Sequence, residues 1–237
     1  MPLPLIIAHR TCPLDAPENS LAGIGVAVEQ GADGVEIDLR MSLDQRPFLM
    51  HDWTMKRTTG FPLPLELTPS PLVRKQTLRD SDEHVHSLAD ALDELPDNLL
   101  LAVDVKTPWA IYPLVQQVLR RGLKERVLIW CTSALAARYA AKSAPGVEVA
   151  YLKDITTPRG KREHIWKARR LGAHAISAHW LAIDAEFVAM AHGFALKVYS
   201  YHGAYDLTPD KLRSGLDGLI TDIPRLAREA LTAALST

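Results

Sequence analysis

Two histidines, a pair of carboxylates and an arginine carry the chemistry that this chain can do. His9 closes the apolar run Ile6-Ile7-Ala8 and is followed by Arg10. His51 closes Phe48-Leu49-Met50 and is followed by Asp52. Imidazole both takes and gives a proton near neutral pH, so two of them can serve one reaction as base and acid. Between them lies Gly31-Ala32-Asp33-Gly34-Val35-Glu36-Ile37-Asp38. Glu36 and Asp38 stand two positions apart, so on a strand both side chains point to one face. Unpaired carboxylates away from water are costly. A hard cation, Mg²⁺ or Ca²⁺, relieves that cost and places a Lewis acid beside a substrate. Arg10 offers a planar fork that can brace a phosphate. Together these groups suit cleavage of a phosphate ester.

Strands and helices must bring them together. Apolar runs of strand length alternate with segments of helical period, the pattern of a parallel sheet with crossover helices. Strands are expected at 3–8, 34–39, 99–105, 126–131, 147–152, 175–178, 195–201 and 218–221. Helices are expected at 21–30, 88–95, 111–121, 134–143, 161–171, 185–192 and 225–234. Eight strands in this alternation predict a closed (β/α)8 TIM barrel. Ser87, with Asp90 three residues on, is expected to cap one helix, and Asn19 another. In such a barrel, functional groups gather at the C-terminal strand ends. His9 and Arg10 follow the first expected strand, Glu36 and Asp38 end the second, and Asp104 and Lys106 end the third. Lys153 follows the fifth, His179 the sixth and Asp222 the eighth, so separate motifs converge on one rim. The stretch 61–82, rich in Pro, Leu and Thr, is irregular. Within it Phe61, Leu63, Leu65 and Leu67 alternate, as a strand packed on the barrel or as an apolar groove.

The order and spacing of these pieces resemble the glycerophosphodiester phosphodiesterase family. The matching segments are His9-Arg10-Thr11, Pro17-Glu18-Asn19-Ser20, Gly31 to Asp38, His51-Asp52 and Arg57-Thr58-Thr59-Gly60. Val103-Asp104-Val105-Lys106 and the run from Gly215 to Pro224 continue the match downstream. The resemblance implies metal-dependent hydrolysis of glycerophosphodiesters to glycerol 3-phosphate and an alcohol. It implies one divalent cation, with Asp104 in the place of the family's third metal carboxylate. It makes His9 and His51 the catalytic pair, assigned as base and acid respectively, and Lys106 a phosphate contact beside Arg10. Glu18 is expected to orient a histidine or to support the metal indirectly. Tyr199 stands where the family often has a tryptophan, as an apolar wall against substrate or as a core aromatic. His179 and Trp180 are expected near the leaving group. A short insertion after the second strand is expected to lie over the active face.

Two departures bear on specificity. Asp104 replaces the family's usual glutamate, and Thr11 replaces a glycine. Thr disfavours positive φ, so a turn that normally bends there through a left-handed glycine is expected to differ. Alternatives to the hydrolase are a lyase that stops at a cyclic phosphate on lysophospholipids, and a relative that binds phosphate or metal without turnover.

Composition narrows the remaining classes. A length of 237 residues with 47% hydrophobic residues suits one α/β domain over 1–237. A net charge of -1 gives no electrostatic case for a nucleic-acid partner. Cys12 and Cys131 are too few and too far apart for a disulfide scaffold or a metal motif. The apolar run 3–8 is too short for a signal peptide or a membrane span. A cytoplasmic protein acting on a small glycerophosphodiester, without stable membrane insertion, is therefore expected.

Overall fold

Eight parallel strands close on one another to form the barrel. A computed structural model describes residues 3–155, 157–201 and 206–236. The strands are β1 (Leu5–Ala8), β2 (Gly34–Met41), β3 (Pro47–Leu49), β4 (Leu100–Val105), β5 (Val127–Cys131), β6 (Glu148–Leu152), β7 (Ala175–His179), β8 (Lys197–Tyr201) and β9 (Gly218–Thr221). The helices are α1 (Leu21–Glu29), α2 (Lys56–Thr59), α3 (Ser70–Val73), α4 (Leu88–Asp93), α5 (Ile111–Arg121), α6 (Ala134–Ser143), α7 (Pro158–Leu171), α8 (Ala185–Gly193), α9 (Pro209–Leu212) and α10 (Pro224–Leu235). The sheet runs β1-β9-β8-β7-β6-β5-β4-β2, and β1 pairs with β2 to shut the ring. The eight expected strands are all present, with ends shifted by two residues at most. β3 falls in the short apolar run that His51 closes and is an addition to those eight. It pairs antiparallel with β2 outside the ring, with Leu39 opposite Leu49.

The strands are apolar because both of their faces are covered. One face of β2 carries Val35, Ile37 and Leu39 into the layer between barrel and helices, all fully buried. The opposite face carries Glu36 and Asp38 into the barrel. Ile7, Trp130, Tyr199 and Ile220 fill the interior beneath them. A Cβ on Gly218 would lie 2.6 Å from the Tyr199 ring, so a glycine is needed where that ring fills the interior.

Helix starts follow local chemistry. Ser87 and Asp90 form the expected reciprocal cap on α4. The cap of α1 is Ser20, whose side chain accepts the Gly23 N–H at 3.0 Å, and not Asn19. Asn19 is spent elsewhere. Its Nδ2 donates to Asp38 Oδ2 at 3.0 Å, and its Oδ1 accepts the Asp38 N–H at 2.8 Å.

The irregular stretch is part of a larger insertion between β3 and α4 with a hydrophobic core of its own. Phe48, Met50, Met55, Leu65, Val73, Leu78 and Val85 form that core. The alternating leucines are not a strand packed on the barrel. Leu65–Leu67 is a 3-10 turn in which Leu65 is buried, while Leu63 and Leu67 are exposed. No helix among the described residues is long and apolar enough to cross a membrane.

Candidate active site

The loop after β1 sets the first side chains. Arg10, Thr11 and Cys12 all adopt positive φ, at 42°, 60° and 65°. For non-glycine residues this conformation costs about 1–2 kcal/mol each. Surrounding bonds hold it. The Arg10 N–H donates to Glu36 Oε2 at 2.9 Å, and the Asn19 N–H donates to the Arg10 carbonyl at 2.8 Å. The Ser20 N–H donates to Thr11 Oγ1 at 3.1 Å. The expectation that Thr11 forces a different turn is therefore corrected. Thr11 itself adopts the left-handed conformation, and its side chain serves as an acceptor. Gly23 makes room for it, since a Cβ there would fall 2.0 Å from the Thr11 carbonyl oxygen.

Register then assembles the carboxylates. Asp38 on β2 pairs directly with Asp104 on β4, and Glu36 lies one interior position below Asp38. All three are buried, and their oxygens come within 4.8 Å of one another. Lys106 Nζ reaches Asp38 at 3.1 Å and Asp104 at 2.5 Å. Arg10 Nε reaches Asp38 at 3.3 Å. Two cations thus face three carboxylates, and the deficit shows in their ionisation. Burial, then the charge of Asp38, pushes Glu36 up to about 8. Burial also raises Asp104 against the pull of Lys106. Asp38 is held below its ordinary value, because Lys106 and Arg10 together outweigh its burial. Asp104 Oδ1 is buried with no hydrogen-bond partner among the described residues. Three clustered oxygen donors, one unsatisfied and two reluctant to ionise, fit a hard divalent cation.

Each histidine is backed by a carboxylate. His9 Nδ1 donates to Asp222 Oδ1 at 2.6 Å, and His51 Nδ1 donates to Asp52 Oδ1 at 2.8 Å. An ionised carboxylate only accepts, so each bond places the proton on Nδ1. Burial depresses His9, but the Asp222 bond and the Glu36 charge outweigh it, and its pKa is raised. Glu18 touches neither histidine. It takes two bonds from Arg57, at 2.6 and 2.7 Å, and lies 3.6 Å from Arg10 Nη1.

His9, Arg10, Glu36, Asp38, His51, Asp104 and Lys106 all line one cleft of about 270 Å³ at the C-terminal rim. Tyr199 does not. It is fully buried in the barrel, stacked 5.5 Å from Trp130, and its hydroxyl donates to Glu148 Oε1 at 2.5 Å. The β8 residue at the mouth is Tyr201, two positions on, whose hydroxyl bonds to Asp154. Strand alternation puts 199 and 201 on one face, and the end of the expected strand at 201 was the available signal. Trp180 is buried, donating from Nε1 to the Asp206 carbonyl at 2.6 Å. Its neighbour His179 accepts the Leu181 N–H at 3.1 Å, and Lys153 is exposed; none of the three lines the cleft. Thr132 and Asp154 do line it, two loop residues that the sequence did not single out, although it singled out Lys153 beside the second.

Known proteins resemble this chain in sequence and in fold. The model of the glycerophosphoryl diester phosphodiesterase family matches residues 9–226. A glycerophosphodiester phosphodiesterase of Caldanaerobacter subterraneus is 27% identical over 235 residues, covering 93% of this chain and 94% of that protein. Human glycerophosphodiester phosphodiesterase 1 is 41% identical over 112 residues, covering 42% of this chain and 33% of that protein. A putative glycerophosphoryl diester phosphodiesterase from Agrobacterium tumefaciens superposes with a TM-score of 0.86 at 18% identity, covering all of both chains. An Oleispira antarctica phosphodiesterase, solved with the product sn-glycerol-3-phosphate, superposes with a TM-score of 0.82 at 22% identity, over 97% of each chain. These two structures share the barrel fold, while the family match runs from the first catalytic-site candidate, His9, into α10. The chain belongs to the glycerophosphoryl diester phosphodiesterase family.

Proposed function

We propose that the protein hydrolyses glycerophosphodiesters to glycerol 3-phosphate and an alcohol. One observation carries this reading: two carboxylate-backed histidines and three buried carboxylates meet Arg10 and Lys106 in a single rim cleft. The product found in the Oleispira phosphodiesterase is the one expected here.

Glu36, Asp38 and Asp104 would hold one divalent cation, Mg²⁺ or Ca²⁺, which supplies Lewis-acid polarisation of the phosphoryl oxygens. Arg10 and Lys106 neutralise the phosphate and fix its orientation. The glycerol 2-hydroxyl attacks phosphorus as His9 Nε2 removes its proton. The bond from phosphorus to the leaving alcohol breaks, and that oxygen takes a proton from His51 Nε2. In the second step water attacks the cyclic phosphate and gives its proton to His51. The bond from phosphorus to the 2-oxygen breaks, and His9 returns its proton there. Each such proton transfer is worth about 10²–10⁴-fold in rate.

Phosphorus NMR tests the reading, with glycerophosphocholine, lysophosphatidylcholine and glycerophosphoinositol offered in turn. Glycerol 3-phosphate from the two glycerophosphodiesters, and its acylated form from lysophosphatidylcholine if that is accepted, is expected with Mg²⁺ or Ca²⁺ and is expected to vanish with EDTA. Its formation is expected to fail in His9→Ala and His51→Ala. A cyclic phosphate that persists indicates a lyase instead. Turnover unchanged by EDTA or by both substitutions overturns the proposed site.

A further inference from the structure

We propose that Arg57 is a positioning residue for His51, acting as a two-sided clamp that fixes the direction of its proton. The proposal rests on the reading of His51 as general acid. Arg57 sits on α2, in the insertion, and its guanidinium is held from both sides. On one side Nε donates to Asp52 Oδ2 at 2.7 Å and Nη2 donates to Asp52 Oδ1 at 3.1 Å. On the other side Nη1 and Nη2 donate to Glu18 Oε2 and Oε1 at 2.6 and 2.7 Å. Asp52 in turn accepts the His51 Nδ1 proton at 2.8 Å. The chain of contacts runs Glu18, Arg57, Asp52, His51, and it ties the insertion to the loop after β1.

Only an arginine fits this position. Its fork offers parallel donors along two edges, whereas a lysine ammonium is a point charge that serves one carboxylate oxygen at a time. The His51 ring is about one third exposed and needs an anchor. With Asp52 free to turn, the ring could present Nε2 in the wrong direction or lose its Nδ1–H tautomer. Arg57 is itself half exposed, so a clamp there adds little to global stability. Its effect therefore falls on position and shows in rate.

Leaving-group dependence reads that effect. The alkoxide of glycerophosphocholine needs a proton as it departs, whereas the nitrophenolate of glycerol 3-phosphate nitrophenyl ester departs without one. With metal saturating, Arg57→Gln is expected to lower the single-turnover rate of choline release from the choline ester by about 10–100-fold. The melting temperature and the single-turnover rate of nitrophenolate release, which reports the first step alone, are expected to stay close to the parent values. Asp52→Asn is expected to give the same dependence, and Arg57→Lys to recover only part of the loss. His51→Ala, run alongside, is expected to lose more on the choline ester while largely sparing first-turnover release of nitrophenolate, although it loses the second step on both esters. If His51→Ala shows that dependence and Arg57→Gln slows first-turnover release from neither ester, or from both alike, the clamp is refuted alone. If His51→Ala slows first-turnover release from both esters alike, the acid assignment fails and the clamp fails with it.

Discussion

Removing the divalent cation should make the protein less stable as pH rises, and restoring it should abolish that loss. Glu36 drives the effect. Its ordinary value of 4.5 is pushed up to about 8 by burial and by Asp38. Between those values the folded, metal-free protein keeps a proton that the unfolded chain has released, so stability falls with rising pH across this window. Asp104 is raised by the same burial and adds to the fall, while Asp38 is lowered and opposes it only at acid pH. Holding one buried carboxylate neutral over that range corresponds to about 3–5 kcal/mol. For a chain of this size that is roughly 10 °C in melting temperature. A cation instead favours the charged carboxylates, so its stabilisation should grow through the same window and its binding should release protons. Thermal melts from about pH 5.5 to 8.5, with EDTA and with Mg²⁺ or Ca²⁺, check this directly. A melting temperature in EDTA that stays flat or climbs with pH would refute the reasoning, because Lys106 and Arg10 would then suffice to hold all three charges.

Asp222→Asn removes the bond that keeps His9 above its ordinary value, so burial prevails and the pKa falls. The acid limb of kcat/KM should move to lower pH, with a rate about 10–100-fold lower; a limb that stays put would contradict the pairing. Gly23→Ala would drive a methyl into the Thr11 carbonyl oxygen, 2.0 Å away. It should cost about 3 kcal/mol, and Thr11→Gly should not rescue it because the nearest atom is backbone; calorimetry of both variants reads this. Tyr199→Phe removes only the bond to Glu148, so it should cost about 1 kcal/mol and leave kcat and KM unchanged.

The barrel was legible because its strands are buried on both faces and so read as apolar runs bounded by turn residues. The rim was legible because period-two alternation and the C-terminal rule together place Glu36, Asp38, Asp104 and Lys106 without any coordinates. What escaped depends on contacts distant in sequence. β3 was legible as the short apolar run before His51, but its antiparallel pairing with β2 outside the barrel was not. The core residues of the insertion follow neither a strand period nor a helical one, so no local pattern announces them. Asn19 and Ser20 are both good caps, and the choice falls to Ser20 because Asn19 is claimed by Asp38. Tyr199 shares a face with the active-site mouth but lies one layer too deep, and depth along a strand is set by the register of its neighbours.

The insertion's separate core sets His51 and His9, the proposed acid and base, beside different hydrophobic clusters. His9 is anchored by β1, β9 and the main core, whereas His51 follows Met50, one of the side chains packed inside the insertion. A small unit of this kind can open without the barrel opening. Amide hydrogens between 50 and 87 should then exchange before those of β4 and β5. Heat would separate the acid from the base while the rest of the molecule stayed folded, so inactivation would precede the calorimetric melt and reverse on cooling.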